Sequence, residues 1–214
     1  MSNKERNLPI IKPVENEILN PAVDLTIDYA EIGLDSFLDD DAISEIPIVK
    51  SIVGVVKIGM SIKERYDLKK LLTFFKEFQS GEVSDENRAI FKEKFNTNKK
   101  YRTDVVETIV LLNERFLDLK KSKILANLMN AHINQQLSWI ELNDISIVLD
   151  SIHPKSFAFL KEMADQNWSN QGRNLENEPL LFSCGIGHRH GSNFSISKMG
   201  QDLFNYGIKP ILNE

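Results

Sequence analysis

Cysteine is nearly absent from this chain. Cys184 alone among 214 residues leaves no partner for an internal disulfide, which excludes a disulfide-stapled scaffold and fits a reducing compartment. A basic excess is missing as well. The formal charge is −5 at pH 7, which argues against nucleic acid as a partner held by bulk electrostatics. The opening "MSNKERNLPIIKPVENE" has a charged start but no apolar run behind it, so no secretory signal is read and a cytoplasmic protein is expected. "GIGHRHG" (185–191) matches neither a dinucleotide fingerprint nor a P-loop, because no lysine follows as a phosphate anchor. No paired carboxylates and no nucleophile–base–acid triad stand out. The expectation is a non-enzymatic protein with no cofactor.

What is present is ordinary globular material: 42% hydrophobic and 27% charged residues, enough for one sizeable helical domain and a smaller module. The charge is segregated. Residues 15–45 hold ten acidic residues and no Lys or Arg, whereas 46–123 hold seventeen Lys plus Arg against eleven Asp plus Glu. The acidic beginning is therefore expected to fold against the basic middle, the alternative being two solvated faces that never meet.

The periodicities predict a mainly α protein. Residues 1–19, with two prolines and little pattern, read as an extended arm. Asn20 as N-cap and Pro21 at the first helical position predict a helix over 21–38. Pro47 suits the first turn of a second helix reaching about 63, with helical pattern continuing to Ser80-Gly81. Ser84 caps the next helix. Val105, Ile109, Leu112 and Phe116 share a stripe, as do Ile124, Leu128 and Ala131. Ser138 and Glu141 form a capping box, and His153-Pro154 breaks that helix. The domains expected are the arm, a helical bundle over 20–168 containing an apolar hairpin (21–63), and a small α/β module over 169–214. The module comprises a β-hairpin and a helix capped by Ser197, either a winged-helix-like wing or a hairpin packed on the bundle.

"EIPIVKSIVGVVKIGMSIKER" (45–65) comes nearest to stating a function. On a helical wheel Lys50, Gly54, Lys57 and Ser61 share one narrow stripe, the rest being mostly Ile, Val and Met. Asp24, Asp28, Glu31 and Asp35 form the matching acidic stripe on the preceding predicted helix. An antiparallel hairpin turning near Ala42 sets Asp35 level with Lys50 and Asp28 with Lys57. Membrane insertion of 46–62 alone is not favoured: the apolar positions contribute about −4 kcal/mol, Lys57 returns roughly 2.5–3.5 kcal/mol, and Lys50, Pro47 and the glycines bring the sum to zero or above. Pairing the stripes, or lining water with several copies, would leave a greasy exterior suited to conditional membrane association. The competing reading is the apolar centre of a bundle whose polar stripes face solvent.

For chemistry, Cys184, His188 and His190 are the weak metal candidates. On a strand both histidines would point the same way, but a fourth ligand and a second cysteine are missing. A turn with exposed histidines is the plainer alternative.

The order "IPIVKSIVGVVKIGMSIKER", "LKKLLTFFKEF", "KILANLMNAHINQQLSW" and terminal "FSISKMGQDLFNYG" resembles a group of uncharacterised bacterial helical proteins. More loosely, it resembles the abortive-infection alpha proteins of phage defence, which also end in a strand leading into a "T/S-x-x-G" helix; here Ser197 stands where threonine is commoner. The resemblance covers most of 40–206 and implies a bacterial phage-defence setting, with no catalytic residues carried over. It fits action through the hairpin on a protein partner, on a second copy, or at the inner membrane as a peripheral protein. The alternative is a regulatory protein using the C-terminal module.

Overall fold

The computed structural model describes residues 8–54 and 60–212, and the protein is mainly α with a small antiparallel sheet near its C-terminus. It divides into two compact units, Met1–Ser122 and Lys123–Glu214. The division falls after Ser122, where the sequence suggested one after 168; within the second unit the helices over 139–165 pack with the terminal helical segment.

The first unit opens on a helix where an arm was expected. Helix α1 (Leu8–Leu19) accepts Pro9 in its first turn, where backbone N–H groups have no helical partner, and carries Pro13 inside it, forgoing one bond of its ladder. Its buried face includes Val14, Glu17 and Ile18.

Residues 21–38, predicted as a helix, form only turns and irregular backbone. Side chains divert the backbone. Glu17 Oε1 accepts from the N–H groups of Ala22 at 2.7 Å and Val23 at 2.9 Å. Asp24 accepts from Thr26 N–H at 2.8 Å, and Asp28 from Ala30 N–H at 3.0 Å. These local bonds offer the backbone an alternative to a helical ladder, so the aspartates read as a stripe are turn formers. Tyr29 and Phe37 anchor the segment, both 0% exposed.

One turn, α2 (Asp41–Ser44), leads to α3 (Pro47–Val53), which buries Ile48, Val49 and Ile52 and packs on α1. Helix α4 (Ile62–Ser80) then begins anew: Ser61 has extended backbone (φ −65, ψ 162) and closes a capping box with Glu64. The 21–63 hairpin is therefore not formed. Neither rod exists at its predicted length.

Helix α4 is the axis of this unit. Residues from Leu68 to Phe75 are buried without interruption, which requires neighbours on every side. Helices α5 (Asp85–Thr97, capped by Ser84) and α6 (Lys99–Arg115) pack together, and α6 also packs on α1 and α4.

The second unit is built on the later part of α7 (Leu119–Ile133), where Ile124, Leu125 and Leu128 are fully buried. Next come α8 (Trp139–Ser151), with the Ser138–Glu141 capping box, and α9 (Ser156–Asp165). Strand β1 (Ser169–Asn170), helix α10 (Glu178–Ser183), β2 (Gly187–His190) and β3 (Asn193–Ile196) follow. The sheet order is β1-β3-β2, all antiparallel. Gly191, at φ +59, is the first of two turn residues between His190 and Asn193, where a tight hairpin needs a positive φ. Phe194 fills the centre, stacked on Phe159 at 6.0 Å and met edge-on by Phe182 at 5.4 Å.

Ser197 caps α11 (Lys198–Asp202), its Oγ accepting from Gly200 N–H. A Cβ on Gly200 would lie 2.6 Å from Ile196 Cγ2 and 3.0 Å from Ile186 Cβ, so the glycine of this "S-x-x-G" is a close-packing requirement. The helix widens into a π turn (Leu203–Ile208) before α12 (Lys209–Ile211). Pro210 has no N–H and crowds the Tyr206 carbonyl, which the wider turn accommodates.

Candidate functional site

The proposed switch residues do not converge. Asp24 and Asp28 sit in turns, and Glu31 and Asp35 are exposed in the same segment. Lys50 pairs with Glu45 at 2.5 Å, both well exposed, rather than with Asp35. Gly54 ends α3 and Ser61 caps α4. Lys57 lies outside the described residues, and with it the Asp28–Lys57 level.

Acidic and basic segments do meet, through other residues. Lys69 Nζ donates to the Ile32 carbonyl at 2.5 Å; burial lowers its pKa, and nearby Asp28 opposes that shift. Lys92 reaches the Leu19 carbonyl at 3.0 Å, and Arg102 pairs with Glu15 at 3.5 Å. Glu17 also accepts from Gln79 at 2.7 Å.

The densest polar cluster of the first unit joins the start of α4 to the end of α6. Lys70, with a 2% exposed side chain, pairs with Asp67 Oδ1 at 2.9 Å. It also donates to the carbonyls of Glu114 at 3.1 Å and Phe116 at 2.9 Å, neutralising the C-terminal end of α6. Lys63 takes the other side of Asp67 at 2.7 Å and reaches Glu114 Oε1 at 3.1 Å. Hydrogen bonds to Asp67 raise the Lys63 pKa, against partial desolvation. A cavity of about 250 Å³ opens beside these groups. Asn113, also on its wall, is 1% exposed; its amide nitrogen donates to the Ile109 carbonyl at 2.8 Å, and its buried Oδ1 has no hydrogen-bond partner among the described residues.

In the second unit, His188 and His190 do project from one face of β2, both exposed. Cys184, half-buried, directs its thiol at the Leu180 and Leu181 carbonyls at 3.3 and 3.5 Å. Among the described residues no group of three His, Cys, Asp or Glu side chains is placed to hold a metal ion.

Arg189, between the two histidines, is the organising residue. It grips Glu178 through Nε at 3.2 Å and Nη2 at 2.7 Å, donates to the Gly172 carbonyl at 2.9 Å, and bonds the Ser192 carbonyl. Glu178 also accepts from Asn174 N–H at 2.8 Å. The 172–178 loop, the start of α10 and the hairpin are thereby fastened together. Burial pushes the Glu178 carboxyl up, but the Arg189 bonds, the Asn174 N–H and the charges of Arg189 and Arg173 outweigh it, leaving the pKa below the ordinary value.

Sequence reasoning missed Glu17, Lys69, Lys70, Asn113 and the Glu178–Arg189 pair. The available signal was the charge inside "LKKLLTFF", where two lysines interrupt an apolar run on a helix buried all round.

Among the described residues, no helix is long and apolar enough to cross a membrane. No protein-family model matches the chain, and no curated protein or solved structure matches it.

Proposed function

We propose that this is a non-enzymatic bacterial protein of phage defence that acts by binding another protein through its C-terminal unit. The helix–strand–helix–hairpin order with a β1-β3-β2 sheet supports a winged-helix-like reading of that unit. In such a module the helix before the hairpin is the reading element.

The observation that carries the choice of partner is the surface of that element. Leu175, in the turn that leads into α10, is 78% exposed, and on the helix itself Pro179 is exposed and Phe182 43% exposed, so this turn and helix present apolar side chains to solvent. Helix α10 carries no Lys or Arg, and residues 123–214 hold seven Lys plus Arg against nine Asp plus Glu. A phosphate backbone finds no counter-charge on this helix and no basic excess in the unit, whereas exposed apolar side chains suit a protein surface. Membrane action has less support: Ile48, Val49 and Ile52, the apolar residues it would use, are in the core of the first unit.

Phage challenge of bacteria expressing the full chain tests the proposal. Wild type is expected to lower plating efficiency, and a Leu175→Glu, Pro179→Glu variant to lose that protection with an unchanged melting curve. If wild type protects against no phage of a broad panel, the defence role falls. Full protection by the variant removes these side chains as the acting surface. Transfer of wild type to the membrane fraction on infection would replace the protein partner with the bilayer.

A further inference from the structure

Residues 21–39 are fastened to the first unit unlike the helices around them. Among the described residues their only backbone–backbone hydrogen bonds are internal: Glu31 N–H to the Asp28 carbonyl and Asp39 N–H to the Ser36 carbonyl, both at 3.1 Å. What attaches them is side chains. Glu17 of α1 takes the N–H groups of Ala22 and Val23, Lys69 of α4 donates to the Ile32 carbonyl, and Val23, Tyr29 and Phe37 are buried. The Lys76 charge acts on Asp24 and the Asp28 charge on Lys69, so the segment runs back along α4 with its carboxylates towards the lysines. A segment with no hydrogen-bond ladder to its neighbours opens more cheaply than the helices beneath it, which keep their own.

We propose that residues 21–39 form a strap that opens as one unit while α4 and α6 stay folded, controlling access to Lys69 and to the apolar ground under Tyr29 and Phe37. Lys69 itself favours opening. Its ammonium has three donors, and the bond to Ile32 is the only hydrogen bond it forms among the described residues; lifting the strap lets water satisfy the others. Lys70, the next residue, supplies the contrast. Both lysines are buried, at 6% and 1% exposed, but Lys70 is held by Asp67 and by the Glu114 and Phe116 carbonyls, which the strap does not touch.

The test is acetylation of the full chain by N-hydroxysuccinimidyl acetate, read at each lysine by mass spectrometry and divided by the rate of the same lysine in the urea-unfolded chain. Lys69 is expected to label at least about tenfold faster than Lys70, with a shallower rise in low urea, because local opening exposes less surface than global unfolding. Ile109→Val, in the core of α6, should speed Lys70 about threefold or more and leave Lys69 unchanged, since the open state keeps that core. Phe37→Ala removes an anchor and should speed Lys69 about tenfold or more. Asp28→Asn removes only the charge beside Lys69, should speed it about two- to fivefold, and reports even if Phe37→Ala does not fold. Equal normalised rates for the two lysines, an equal response of both to Ile109→Val, or a Lys69 rate unmoved by Asp28→Asn and Phe37→Ala would each overturn the proposal. The strap stands independently of the phage-defence reading, which rests on the second unit.

Discussion

Replacing Lys70 by Met isolates the physics that ties α4 to α6. Met keeps the length and most of the volume, so little cavity is made, and what disappears is the ammonium. Three bonds go with it: to Asp67, to the Glu114 carbonyl and to the Phe116 carbonyl. Removing one partner of a buried ion pair costs about 3–5 kcal/mol when the other charge is stranded. Asp67 is not fully stranded, being 19% exposed and still paired with Lys63. That moves the ion-pair loss below the range, while two carbonyls left without their donor restore part of it. The net expectation is a loss of about 3 kcal/mol, or roughly 6–12 °C in melting temperature for a chain of this size. Urea unfolding of wild type and variant measures it. Lys63→Met is the control: it leans on the same carboxylate but is 65% exposed, so it should cost under about 1 kcal/mol. Equal losses for the two lysines, or a Lys70→Met protein as stable as wild type, would refute the reasoning. A Lys70→Met, Asp67→Leu double variant should recover part of the loss, because the pair is then removed together.

Glu178→Gln should cost about 2–4 kcal/mol at neutral pH by stranding the Arg189 charge. Because the folded pKa of Glu178 is depressed, its contribution is present above its ordinary value of 4.5 and lost as pH falls through the folded value. The wild-type advantage in urea midpoint should therefore be full above that value and shrink progressively on acidification below it, and an advantage that grows as the pH falls would contradict the linkage. Gly207→Ala places a Cβ 2.7 Å from Ile124 Cγ2 and 3.2 Å from Leu128 Cγ. Overpacking by about 1–3 kcal/mol outweighs a helix-propensity advantage of about 1 kcal/mol, so a net loss of about 1–2 kcal/mol is expected. A more stable alanine variant in urea would show that those side chains yield freely.

Local signals determined much of the helical pattern by themselves. Ser84, Ser138 with Glu141, Ser197 and the Ser80-Gly81 stop lie where caps and ends occur, because a cap is a bond between neighbours and needs no distant partner. The alternation of "NFSIS" likewise marked β3, whereas the apolar run before it is helix α10 and β2 falls on "GHRH", read as a turn-rich centre. Tertiary structure decided the rest. Asp24 and Asp28 keep helical spacing in the sequence, yet Pro21, the reach of Glu17 from α1 and the burial of Tyr29 make turns and irregular backbone of 21–38. Ser61 read as one more polar stripe residue, although its pairing with Glu64 makes it a helix start. The cavity beside Asn113, the burial of Lys70 and the Glu178–Arg189 grip join residues far apart in the chain. No local pattern encodes them, because their energies exist only once water has been excluded from between the helices.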